Sequence, residues 1–260
     1  MRLTFLGTGT SFGIPVIGCD CAVCTSPDPR DRRTRHAALL ESDDRTRRIL
    51  VDTPPELRLQ LLAAGVSHID AVWFTHCHAD HTHGVDDLRA FTVRSDQPLT
   101  AYAGEGCART LRERFAYIFD PEHRPIEGTT KPNVRLAVVR PGEPVEIAGF
   151  TMLPLAVPHG DDVAIGFRTG DLGYITDAKR IPPETVAALR GVRVLVLNAL
   201  WFGRPHPTHM TVEEAVDAAR AIGAQRTYLT HLTHRLRHAE LLDRLPRDIQ
   251  PAYDGLVVEV

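Results

Sequence analysis

Residues 75–81 read Thr-His-Cys-His-Ala-Asp-His, so His76, His78, Asp80 and His81 crowd four metal-ligand side chains into six residues. They follow the apolar stretch 69–74, of the kind that forms a buried strand. If the segment is extended, His76 and His78 point to one side while the adjacent Asp80 and His81 diverge. One cation cannot easily collect all four, whereas two can, so the spacing suits a dinuclear metal centre. A solvated polar turn is the simpler alternative, but this density of His and Asp directly after an apolar strand favours metal. Cys77 alternates away from its histidine neighbours and is read as a packing residue.

A second cluster lies nearer the start. Cys19, Cys21 and Cys24 place three thiols on a short loop within a stretch at about 18–35. They are too close to pair as relaxed disulfides and one ligand short of a closed tetrahedral zinc site. The five cysteines stand at 19, 21, 24, 77 and 107. An odd number with three crowded together fits metal ligation in a reducing compartment better than a disulfide framework. The fourth ligand must come from elsewhere. His234, three residues beyond His231, would let one loop serve both clusters.

Such side chains need a rigid frame, and strand ends supply one because a sheet can hold several loops around one point. Hydrophobic patterning predicts early strands at 2–6, 36–41, 48–51, 69–74 and 99–102, with helices at 56–64 and 105–119. A surface loop is expected at 121–132, followed by short strands at 134–139, 145–147, 151–157, 164–169 and 173–176. The remainder alternates: helix 183–189, strand 192–198, helix 212–222 capped by Thr211, strand 226–230, helix 239–245 and strand 256–260. His159, Asp177 and His231 each follow one of these strands. Singly, a His or Asp at a strand end is more often a cap or a hydrogen-bond partner.

Composition bounds the rest. With 260 residues, 43% apolar and 24% charged, the chain can bury a substantial core, and a single domain over 1–260 of two sheets flanked by helices fits the order of elements. No apolar run reaches the roughly 20 residues of a membrane span, and no signal-peptide core opens the chain, so a cytoplasmic protein without a membrane partner is expected. A net charge of −3 argues against a broad nucleic-acid platform. A homodimer is left open.

Taken together, His76-x-His78-x-Asp80-His81 and the later His159, Asp177 and His231 resemble the metallo-β-lactamase superfamily, a four-layer αββα sandwich, over essentially the whole chain. The resemblance implies one active-site metal on His76, His78 and His159, a second on Asp80, His81 and His231, and a bridging Asp177. Two divalent cations held by N and O ligands point to Zn or Mn. Asp52, at the end of 48–51, matches the aspartate that orients a ligand imidazole. Leu6-Gly-Thr-Gly-Thr10, the Cys19-x-Cys21-x-x-Cys24 loop and the paired His231 and His234 resemble the PhnP-type branch. There Cys19, Cys21, Cys24 and His234 would hold one structural zinc, remote from the chemistry.

By the same resemblance His209 would donate a proton to a leaving oxygen or bind a phosphate oxygen. It is preferred to His206 because it directly precedes the helix start at Thr211, where backbone N–H groups favour anions. His209 and Asp80 are thus the expected catalytic residues. His36, His68, His83, His123 and His238 are read as surface or capping residues, Asp254-Gly255 as a turn, and the basic run 30–35 as a solvated loop.

The implied function is a metal-dependent phosphodiesterase, hydrolysing a small cyclic ribosyl or nucleotide phosphodiester by attack of a metal-bridging hydroxide. An endonuclease of the RNase Z type shares the ligands, but only residues 160–176 separate His159 from Asp177, too few for its RNA-grasping arm. Lactonase or thioesterase activity uses the same ligands. A nonenzymatic binding or assembly protein of the PqqB type would be expected to lose part of the ligand set, which is complete here.

Overall fold

The computed structural model describes every residue except 94, 96 and 121. Successive strands β1 (Arg2–Gly7), β2 (Ala37–Glu41), β3 (Arg48–Val51), β4 (Ala71–Trp73), β5 (Leu99–Gly104) and β6 (Val134–Val139) lie side by side in one sheet. A second sheet follows in the same fashion: β7 (Val145–Ile147), β8 (Phe150–His159), β9 (Asp162–Thr169), β10 (Leu172–Tyr174), β11 (Val194–Asn198), β12 (Arg226–Thr230) and β13 (Ile249–Pro251). The chain then returns to the first sheet, where β14 (Val257–Glu259) pairs antiparallel with β1.

Each sheet is antiparallel in its first part and parallel in the rest. β1, β2 and β3 pair antiparallel, after which β3 to β6 run parallel. β7 to β10 likewise alternate before β10 to β13 run parallel. Parallel neighbours need crossovers, and helices supply them: Leu57–Ala63 and Glu105–Arg114 for the first sheet, Pro183–Leu189, Val212–Ile222 and His238–Arg244 for the second. The parallel carboxyl ends of β3, β4, β10 and β12 lead into Asp52, His76, Asp177 and His231. Open α/β sheets characteristically place ligands at such strand ends.

Leu3, Phe5, Ile49 and Trp73 of the first sheet share one buried cluster with Phe167, Tyr174, Val196 and Tyr228 of the second. Trp73 packs edge-on against Phe167, ring centroids 5.4 Å apart, and its Nε1–H donates to the Ile165 carbonyl at 2.9 Å. The outer faces carry their own apolar layers: Leu57, Leu61 and Leu111 lie over the first sheet, Leu189, Val212 and Leu241 over the second. The result is the αββα sandwich, each strand interior apolar because both faces are covered.

Helix Val212–Ile222 has the expected bounds and shows why: Thr211 Oγ1 accepts from Glu214 N at 3.2 Å, Glu214 accepts from Thr211 N at 2.8 Å, and Gly223 ends the helix at φ 76°. The helix expected over 105–119 is broken at Phe115 (φ −121°, ψ 46°) into Glu105–Arg114 and Ala116–Phe119. Strand β13 and the short helix Ala79–Thr82 were not expected. Three or four residues carry too little periodicity to announce themselves.

Candidate metal centres

The strand-end loops converge. Ligand atoms of His76, His78, His159 and Asp177 lie within 4.8 Å of one another, and so do those of Asp80, His81 and His231. His78 is extended (ψ 154°) and begins the turn of helix Ala79–Thr82, which carries Asp80 and His81. The segment thus divides into an extended half and a helical half, each facing its own cluster. Asp177 stands between them. Its Oδ2 is 3.5 Å from His76 Nε2, 3.4 Å from both His81 Nε2 and His231 Nε2, and 3.9 Å from His159 Nε2.

His209 joins this centre as well. Its Nε2 lies 3.3 Å from Asp177 Oδ2 and its ring stacks on His231 at 4.9 Å. Thr208 Oγ1 contacts its Nδ1 at 2.8 Å, and His206 Nδ1 is a step further out, 3.4 Å from that same atom. Of the two histidines, His209 is the one at the carboxylate.

The backbone is bent to make this arrangement. Asp52, Asp177 and His231 have φ of 62°, 56° and 56°, three of the five non-glycine residues with positive φ among those described. Asp and His tolerate this region better than most residues, and such conformations persist where the surroundings enforce them. Asp52 shows the enforcement: its buried carboxylate accepts from Thr75 N (2.8 Å), Thr75 Oγ1 (2.8 Å) and His81 Nδ1 (2.7 Å). The bond fixes His81 Nδ1 as donor, so Nε2 is left to face the centre.

Burial pushes His76 well below the usual imidazole range, helped by the neighbouring His81. Burial opposes charge on His81 also, but Asp177, Asp52 and Asp80 lift it well above that range. Burial works against the Asp177 carboxylate, yet His231, His81 and His209 hold it well below the ordinary carboxylate value. A resident metal suits this set. His81 Nε2 and both ring nitrogens of His231 are buried without a hydrogen-bond partner. His78 Nδ1 meets His76 Nε2 at 3.0 Å and His159 Nε2 at 3.1 Å. Imidazole nitrogens turned on one another around a carboxylate call for a shared cation.

The cysteine loop also closes. Sγ of Cys19, Cys21 and Cys24 lie 3.3, 3.6 and 3.7 Å from His234 Nδ1. The Cys24 backbone N–H, above all, lowers the Cys21 thiol to about 6, whereas burial pushes Cys24 up to about 11. Three sulfurs and one imidazole nitrogen are the donors of a closed zinc site. The cluster is not isolated from the centre: His234 lines the same cavity as His209 and His231.

Several residues differ from expectation. Cys77 is joined to Cys107 in a disulfide, Cα atoms 5.1 Å apart, rather than serving as simple packing. Parallel pairing of β4 with β5 brings the loop after one strand beside the helix after the other. The basic run is no solvated loop: buried Arg33 donates to the Thr233 and Leu236 carbonyls at 2.9 Å, and Asp31 accepts from His238 N at 2.7 Å. Asp254 is more than a turn former, its carboxylate accepting from N and Oγ1 of both Thr8 and Thr34. His36 is buried rather than at the surface, between Thr230 Oγ1 (3.1 Å) and the Tyr174 hydroxyl (2.7 Å). His238 is buried too, at 2% exposure. Isolated polar residues far apart in sequence gave no local signal of these pairings.

A family model described as a beta-lactamase superfamily domain matches residues 47–232. The chain belongs to that superfamily. Within it the chain is of the PhnP type: a crystal structure of a new diphosphatase from the PhnP family is 39% identical with a TM-score of 0.89, covering 100% of this chain and 97% of its own. Zinc-bound PqqB from Methylobacterium extorquens shares the fold, with a TM-score of 0.81 at 20% identity and 100% of both chains covered. An octanoyltransferase of Porphyromonas gingivalis is 40% identical over 257 residues, 98% of this chain, and the chain spans about half, 51%, of that protein's length. The chain has the metallo-β-lactamase fold, and its His and Asp clusters fit a metal site. No helix is long and apolar enough to cross a membrane among the described residues.

Proposed function

We propose that the chain is a dinuclear phosphodiesterase acting on a small ester, a cyclic ribosyl or nucleotide phosphodiester. His76, His78 and His159 would hold one cation, Asp80, His81 and His231 the other, and Asp177 both. Two divalent ions there, Zn or Mn, supply an acidified water and neutralise charge on phosphoryl oxygens. Asp52 keeps His81 oriented, and Cys19, Cys21, Cys24 and His234 would hold a structural zinc.

The observation that carries the reading is His209. It sits at the carboxylate, 3.3 Å from Asp177 Oδ2, and lines a cavity of about 430 Å³. Nε2 there holds a proton for the departing oxygen, while Thr208 at 2.8 Å fixes Nδ1. A cavity of that size suits a small molecule. β9 and β10 form a tight hairpin between His159 and Asp177, which speaks against an RNA-grasping arm and hence against the RNase Z type reading. The full ligand set speaks against a PqqB-like binding protein.

Metal analysis with turnover of bis(p-nitrophenyl) phosphate, a 2′,3′-cyclic nucleotide, a phosphoribosyl cyclic phosphate and a lactone tests the proposal, in wild type and His209→Ala. A dinucleoside diphosphate belongs in the panel, because the 39% identical relative is a diphosphatase. Retained metal with lost phosphodiester turnover in the variant supports the assignment. Turnover of the lactone alone refutes it, and about one metal per chain would leave only the cysteine site filled.

A further inference from the structure

The cavity beside His209 has walls that metal chemistry does not explain. Phe12 lines it and is 71% exposed, so its ring is open to a ligand. It sits at the tip of a turn clamped at several points: Gly13 N donates to Thr10 O at 2.9 Å, Arg35 Nε to Ser11 O at 2.8 Å, and Ile14 N to Arg33 O at 2.8 Å. Gly13, at φ 62°, makes the turn possible. A rigid turn that presents an apolar ring towards a cavity pays no ordering entropy when something stacks on it.

The same cavity holds a second flat surface. Arg235 lies over the Trp201 ring, Cζ 4.5 Å from its centroid, and the Trp201 Nε1–H is fixed on the Arg204 carbonyl at 2.8 Å. His206 meets Trp201 edge-on at 5.4 Å. Stacked guanidinium and aromatic planes are how proteins hold unpaired bases. Ser11 and Thr10 add hydroxyls at the rim. A bare phosphoribosyl group would leave Phe12 and the Arg235–Trp201 pair without a partner.

We infer that Phe12 and the Arg235–Trp201 stack form a nucleobase site, so that the oxygen displaced on the His209 side belongs to a nucleoside, which stays joined to the phosphate through its other ester bond when the substrate is cyclic. The identity of the reacting ester rests on the phosphodiesterase reading above, but the base site does not. It narrows the substrate to nucleotides over base-free ribosyl phosphates.

Calorimetric titration of the metal-loaded protein with AMP and with ribose 5-phosphate tests the site directly. AMP should bind roughly 5- to 150-fold more tightly, the range expected for one stacked base. In Phe12→Ala that ratio should collapse, and Phe12→Tyr should restore it. Equal affinities in the wild type, or an equal loss for both ligands in Phe12→Ala, would overturn the inference. Turnover of 2′,3′-cyclic AMP and of a base-free ribosyl cyclic phosphate is followed in parallel. Base-dependent binding without turnover supports the site and refutes the phosphodiesterase, whereas turnover indifferent to the base refutes the site alone.

Discussion

Replacing Asp52 with Asn isolates what one buried carboxylate does for the metal centre. Asp52 is fully buried and its three donors all lie within 2.8 Å. Its φ of 62° is tolerated by Asn almost as well, so the substitution leaves backbone strain nearly unchanged, where Ala would add to it. Asn can still accept from Thr75, but its NH2 group then faces the Nδ1–H of His81. The charge-assisted bond is lost, worth about 1.5–3 kcal/mol, and His81 is free to adopt the other tautomer. Loss of such an orienting partner costs roughly 10- to 100-fold in metal affinity or activity, which is about 1.4–2.7 kcal/mol and agrees with the bond. Competition with a chromophoric chelator should therefore show one active-site metal bound roughly 10- to 100-fold more weakly, while the cysteine-bound metal is retained. Circular dichroism separates this from unfolding. If the folded variant kept wild-type affinity for every metal and turned over substrate at the wild-type rate, the orienting function of Asp52 would be refuted.

His209→Ala should keep all metals and lose roughly 10²- to 10⁴-fold in kcat on a diester with a poor leaving group, less on a p-nitrophenyl ester that needs little protonation; an equal loss on both esters would contradict a general acid. Cys24→Ser should release one metal per chain and lower the melting temperature with the active-site metals in place, checked by elemental analysis and calorimetry. His238 should make stability fall in acid: burial, then Arg30 and Arg33, depress its folded value from 6.5 to about 4. Between those limits the unfolded chain takes up a proton that the folded chain refuses, so stability is full above pH 6.5 and is lost as pH falls towards 4, by about 3 kcal/mol. Urea unfolding at several pH values, against His238→Gln, reads this contribution as the difference in slope; identical slopes would dismiss it.

Periodicity and punctuation made much of the frame legible. β6, β7, Pro183–Leu189 and Val212–Ile222 have the bounds that patterning predicts, and Val212–Ile222 is the most clearly marked, by its capping box at Thr211 and by Gly223 at its end. The helix expected over 105–119 divides at Phe115, whose φ of −121° and ψ of 46° leave the helical region. For the site, dense spacing was the signal: residues 75–81 and 19–24 concentrate ligand types beyond what a surface loop needs. His159, Asp177 and His231 stand at the ends of apolar strands, a position that singly favours a cap or hydrogen-bond partner, and only the family resemblance joins them to the set. Arg33, His36 and Asp254 were not, since each has a polar side chain whose partners lie on distant segments.

By itself the sequence determined which side chains could bind metal, which strands would deliver them, and that the cysteine loop needed a distant histidine. Those are local facts, set by residue type, alternation and strand-end position. Only the tertiary structure decided that Asp177 lies between the two clusters, that Cys77 meets Cys107, and that Phe12, Trp201 and Arg235 share a cavity with His209. The physical reason is that parallel pairing and crossover helices bring strand ends together whatever their separation in the chain. The opening motif supplies side chains that could bind metal, and the packing of loops from both sheets brings the rest of the set around them.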